Sequence, residues 1–151
     1  MILISILLSG IGGTALMTAF INILAYLTKK PIRVVQILGT MATNETTPDK
    51  GLSEKLNSRI VGISLHYLIG IIWAALFVIL WHYHVGKPNI YYSLIFGSVC
   101  GVLAMLGWRF HFYVHSNPPT IPLRAFLLAL LCGHVVFGIG IVTLPKNRTV
   151  I

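Results

Sequence analysis

The sequence predicts an all-α integral membrane protein. It should be a four-transmembrane-helix bundle made of two repeated helical hairpins, with a short interfacial helix in the first loop. Three observations lead there. The composition is 56% hydrophobic and 9% charged, whereas soluble domains carry about a quarter charged residues. Four apolar runs are long enough to cross a bilayer core, which takes about 20 residues. Small residues and one histidine recur at matching places in the two halves. The whole chain, 1–151, reads as a single transmembrane domain.

The first span, 2–28, contains no charged residue. It lacks a basic leader and is longer than the apolar core of a signal peptide, so it should be retained as a helix. The loop that follows, 29–59, opens with Pro31–Met41, where Ile32, Val35, Leu38 and Met41 fall at three-residue steps. That stripe predicts the short helix lying in the interface. Thr43–Lys50 is polar and reads as a mobile stretch. The second span, 60–81, holds one ionisable residue, His66. Residues 82–89 make a tight turn around Gly86 and Pro88. The third span, 90–108, has no ionisable residue. Pro118, Pro119 and Pro122 then break the chain before the fourth span, 125–145, whose one ionisable residue is His134.

Charge sets the expected orientation. The net charge is +8, but the bases flank apolar runs, where anionic head groups attract them, rather than forming a basic patch interleaved with aromatics. The lipid bilayer is the expected partner and nucleic acid is not. Lys29, Lys30, Arg33, Lys50, Lys55, Arg59, Arg109 and Arg124 fall on one side of a four-span chain, against Lys87, Lys146 and Arg148 on the other. Positive residues stay inside, so the 29–59 loop is expected in the cytoplasm and both termini outside. The three acids, Glu45, Asp49 and Glu54, all lie in that loop. Cys100 and Cys132 sit in apolar runs without a C-x-x-C pairing, which supports neither dithiol chemistry nor zinc. The triplets Asn44–Thr46 and Asn147–Thr149 match a glycosylation sequon too short to carry weight.

The repeat is a matter of spacing. Ser5, Ser9, Gly13 and Met17 recur every four residues in the first span, as Ser93, Gly97, Gly101 and Met105 do in the third. His66 stands four before Gly70 in the second, and His134 four before Gly138 in the fourth. Two parallel hairpins related by an axis along the membrane normal would follow. Such ridges let helix backbones approach closely, and packing is what drives association in lipid. Ser9, Gly13, Gly97, Gly101, Gly70 and Gly138 are therefore expected at helix contacts. A second ridge in the first span carries Gly10, Thr14, Thr18 and Asn22, and the helix of the second span adds Ser58, Gly62 and Ala74 along the face that carries His66.

The run Gly10-x-Gly12-Gly13-Thr14-x-x-Met17-Thr18, followed by a His-x-x-x-Gly helix, resembles small bacterial inner-membrane proteins of the YagU-like type. The resemblance covers mainly the first hairpin. It implies an inner-membrane location and no particular activity.

Little in the chain suggests catalysis. No acid lies within a span, which removes the usual carrier of a proton relay or a coupled transporter. Neither a nucleotide-binding glycine loop nor a His-Glu-x-x-His pattern is present. His66 and His134 remain, and ionisable residues inside a membrane are functional candidates by default. As facing axial ligands they would hold a haem, haem b in such a module, with a glycine one turn away leaving room for the ring. The competing and better-supported reading is interhelical hydrogen bonding, with no cofactor. Arg109, His111 and His115, beside Trp108 and Tyr113, form a second cluster. It reads either as a lipid or anion contact or, preferably, as an interfacial anchor belt matching Trp81–His84 at the other surface. The expected function is a non-catalytic membrane protein, a packing or accessory subunit of a homo-oligomer or larger membrane complex. A bis-histidine haem electron-transfer module is the alternative, and a small transporter or channel the third.

Overall fold

The computed structural model describes residues 2–143 and is helical throughout, without a strand among those residues. Five helices follow one another: α1 (Ile2–Thr28), α2 (Val34–Ala42), α3 (Leu56–His82), α4 (Ile90–Val114) and α5 (Leu123–Thr143). All except α2 are long and apolar enough to span a bilayer. The four-span membrane bundle expected from composition is the fold.

Three helices outrun their apolar segments. α3 starts at Leu56 rather than 60, α4 continues to Val114 rather than 108, and α5 starts at Leu123 rather than 125. Arg59, Arg109 and Arg124 therefore sit on helical turns. Charge ends a hydrophobic segment, but it does not end a backbone hydrogen-bond ladder, and long arginine stems reach outward from helix ends. Local signals place two of the starts. The Asn89 side chain accepts the Tyr92 N–H at 3.0 Å, a helix N-cap. Pro122, which has no N–H to lose, offers its carbonyl to the Phe126 N–H at 3.0 Å. The expected end of the fourth span, 144–145, and the second sequon lie outside the described residues.

In α3 and α4 small residues mark much of the inward face, whereas α5 also buries Phe126, Leu127, Leu130, Phe137 and Ile141. The buried positions of α3 are Ser58, Gly62, His66, Gly70, Ala74, Phe77 and Trp81, a stripe at nearly four-residue spacing. α1 uses two adjoining ridges. Gly10 and Thr14 lie on α3, where a Cβ at Gly10 would stand 2.8 Å from the Ile71 Cα and one at Gly70 would meet the Thr14 hydroxyl. Gly13 and Met17 lie on α5, against Phe137, Gly140 and Gly133. On α4, Gly97 and Gly101 press on α5 at His134 and Leu131.

Among the four spans, the extensive contacts are α1 with α3, α1 with α5, and α4 with α5. This gives the order α3–α1–α5–α4, with α1 and α5 in the middle. The two ridges that align in sequence thus do not have equivalent neighbours. Gly13 meets α5 of the other hairpin, and Gly101 meets α5 of its own. At the ends of that row, α3 and α4 approach through rings, with Phe77 and Phe96 centroids 5.5 Å apart. Both rings lie near the 83–89 turn. There Gly86 adopts φ +84° under the Tyr92 ring, a conformation that calls for glycine.

α2 forms where expected, but its apolar residues face protein. Val34, Ile37, Gly39, Thr40 and Met41 are buried. A Cβ at Gly62 would strike the Val35 carbonyl, and one at Gly39 the Ser58 carbonyl. Residue 35 beside 62 and residue 39 beside 58 make α2 antiparallel to the first turns of α3. It acts as a plug at that end of the bundle. The polar stretch after it is tied down as well. Thr46 donates to the Asn117 carbonyl at 2.6 Å, Lys50 Nζ to Asn117 Oδ1 at 2.6 Å, and the Thr120 N–H to the Lys50 carbonyl at 2.8 Å. Glu45 holds the start of α3 through the Ser58 hydroxyl and an ion pair with Lys55 at 3.1 Å. Those two groups keep its carboxyl below the usual glutamate value.

Candidate functional site

Because α3 and α4 close only at the aromatic end, a groove of about 390 Å³ opens between them towards the α2 end. α1 and α5 form its floor with Thr14, Met17, Leu130, His134 and Phe137. α3 contributes His66, Ile69, Gly70 and Trp73, and α4 contributes Leu103, Ala104, Gly107, Trp108 and His111. Val34 and Leu38 of α2 close the end. The rim faces outward, since Ile69 is 41% and Leu103 51% exposed. The volume lies in the range of small-molecule pockets, and the mix of apolar walls with a few polar groups is typical of them.

Both intramembrane histidines reach this one groove. His66 meets α1 at Thr18, and Gly133, the neighbour of His134, meets it at Met17 and Ile21, so the two histidines stand at about one level of the bundle. Each is 7% exposed. The His66 Nε2 lies 3.0 Å from the Thr18 hydroxyl. That hydroxyl already donates its proton to the Thr14 carbonyl at 2.7 Å, so it must accept from His66. His134 donates from Nδ1 to the Leu130 carbonyl at 2.8 Å. A neutral imidazole has one donor and one acceptor nitrogen. Both donors are thus committed to protein. The acceptors, His66 Nδ1 and His134 Nε2, have no hydrogen-bond partner among the described residues.

The second cluster divides. His115 is fully engaged: its Nε2 donates to the Met41 carbonyl at 3.0 Å, and its Nδ1 accepts the Asn117 N–H at 3.1 Å. It is a strut joining α4 to the end of α2. His111 is exposed, lies edge-on to Trp108 at 5.9 Å, and borders the groove. Arg109 is exposed and is not one of the groove's walls. Among the described residues, no three His, Cys, Asp or Glu side chains come together as a metal site would need.

The packing glycines Gly13, Gly70, Gly97, Gly101 and Gly138, and buried Ser9, all lie inside the bundle. The space beside Gly70 is filled by Thr14, and that beside Gly138 by the Ser93 carbonyl. Neither glycine leaves room for a macrocycle. Ligation of a haem through Nε2 of both rings would also require His66 to release Thr18.

Three features escaped the sequence reading. Trp73 follows His66 by seven residues on the same helical face, a spacing that could have flagged it. Thr18 belongs to the Gly10–Thr14–Thr18–Asn22 ridge, but no spacing within that helix names His66 as its partner. Gly107 has no atom within 4 Å of where a Cβ would stand. It is a glycine facing space rather than a neighbour, and no sequence signal separates it from the packing glycines.

The fold and the groove define a small polytopic helical membrane protein with a laterally open, histidine-floored pocket. A family model described as "Family of unknown function (DUF6789)" matches residues 2–146, and the chain belongs to that family. No curated protein and no solved structure matches it.

Proposed function

We propose that this chain is a non-catalytic membrane protein that binds a lipid-soluble small molecule in the groove between α3 and α4. One observation carries the reading: two buried histidines from different helices reach the same groove, each with one nitrogen unpartnered. Each of those nitrogens can accept a hydrogen bond from an occupant of the groove. The apolar walls and the outward rim suit entry from the bilayer.

The location we propose is an inner membrane, with the α2 end in the cytoplasm. The charge asymmetry supports that orientation, and the resemblance to YagU-like proteins supports the membrane. Exposed large apolar side chains are spread over α1, α3 and α4, as contact with lipid requires. They single out no surface for a second copy or another subunit. Haem ligation is less well supported, because the glycines beside both histidines are filled by neighbouring helices.

Gly107 supplies the test. Replacing it with phenylalanine puts a ring into the groove, with no neighbour within 4 Å of the new Cβ. Organic extracts of the purified parent should hold a small molecule at near-stoichiometric amount, and extracts of Gly107→Phe should lack it. Identical extracts from two equally folded proteins would defeat the proposal.

A further inference from the structure

We infer that the occupant of the groove is a hydrogen-bond donor on a flat ring, a phenol or hydroquinone type of molecule rather than a carbonyl-only compound. The inference rests on the groove being a binding site and adds the chemistry of what fits it. The direction of two bonds decides it. Thr18 cannot donate to His66, because its single proton goes to the Thr14 carbonyl. The Leu130 carbonyl cannot donate to His134. Each ring therefore shows the groove a lone pair. A quinone, ketone or ester would set its own lone pairs against these and leave all of them unsatisfied. A hydroxyl supplies a proton to one of the two rings, and a second hydroxyl on the same molecule could supply the other.

The shape of the site argues for a ring. Trp73 and Trp108 form the two sides and Phe137 part of the floor, and aromatic faces and edges favour a planar partner. Depth matters too. The histidines sit ten or eleven residues from the α2 end of their helices, about 15–17 Å along the axis. A phospholipid keeps its polar head at the surface, so it brings no hydroxyl to that depth. A compact phenol soluble in hydrocarbon does.

The experiment compares 4-nonylphenol with 4-nonylanisole, its methyl ether, which has nearly the same shape and apolar area but no donor. Each is titrated into the protein in nanodiscs of fixed lipid composition, with empty nanodiscs subtracted. Saturable binding about three- to tenfold tighter for the phenol is expected, the value of one neutral hydrogen bond. In the double variant His66→Phe, His134→Phe, which keeps both rings and removes both acceptors, the preference should shrink towards one. Equal saturable affinity of phenol and ether for the parent protein would overturn the donor inference while leaving the groove as a binding site. Saturable binding of neither would overturn both. If the double variant does not fold, the comparison on the parent protein still decides.

Discussion

His66 and Thr18 form a 3.0 Å hydrogen bond whose direction is set one turn away, by the bond from Thr18 to the Thr14 carbonyl. A contact between two side chains thereby fixes a histidine tautomer. The opposite tautomer is fixed in His134, where Nδ1 meets the Leu130 carbonyl. Nitrogen NMR of histidine-labelled protein should show His66 protonated at Nε2 and His134 at Nδ1. Finding the same tautomer in both would break the argument that two lone pairs face the groove. Thr18→Val should release the His66 preference while costing about 0.6 kcal/mol, the usual value of a side-chain hydrogen bond between membrane helices.

Glycines here divide by what lies opposite them. A Cβ at Gly97 would stand 2.6 Å from the His134 carbonyl oxygen, and one at Gly101 3.1 Å from the Leu131 Cα. Leucine at either should push α4 off α5 and destabilise the bundle by about 1–3 kcal/mol. Gly13→Leu, against Phe137, should behave alike. A Cβ at Gly107 would meet nothing within 4 Å, so Gly107→Leu should leave unfolding in mixed detergent micelles unchanged. If all four variants unfold together with the parent, the ridges do not carry the packing.

The loop after α2 is held across the bundle by Asn117, which accepts from Thr46 and Lys50. Asn117→Ala removes the Lys50 bond and leaves the backbone one. Hydrogen exchange at 44–51 should speed up several-fold, with exchange in α1 and α5 unaltered. Unchanged protection of the loop would show that the Lys50–Asn117 bond does not hold it.

Acid should loosen the same region through Glu45. Its carboxyl is held below 4.5 by the Ser58 hydroxyl first and by Lys55 next. The folded value is lower than the unfolded one, so the ionised group adds stability above pH about 4.5. That contribution is lost as the pH falls through the lower, folded value. Thermal unfolding followed between pH 6 and pH 3 should show a steeper acid decline for the parent than for Glu45→Gln. Superimposable curves would remove Glu45 from the account.

Orientation is open to direct labelling. In a background with Cys100 and Cys132 replaced, Glu54→Cys and Lys87→Cys should react with an impermeant reagent from opposite sides, position 54 from the cytoplasm. Reaction of both from one side contradicts four spans. Reaction of position 87 from the cytoplasm reverses the proposed orientation.

The spans, their number and the ridges were legible because they are local. Whether a segment prefers lipid depends on its own side chains. Whether a helix face is smooth enough for close approach depends on residues four apart, as in Ser58–Gly62–His66–Gly70–Ala74. The helix ends were less legible at Arg59 and Arg109, since hydrophobicity stops there and the hydrogen-bond ladder does not. The tertiary structure alone decided which ridges meet. Ser9–Gly13–Met17 and Ser93–Gly97–Gly101 look alike in sequence, yet α5 takes both as neighbours and leaves α3 and α4 joined only near Phe77 and Phe96. A groove is a contact that two helices do not make. Its position follows from all the other contacts together and from α2 standing between the chain's first two spans, so no residue pattern within one helix encodes it.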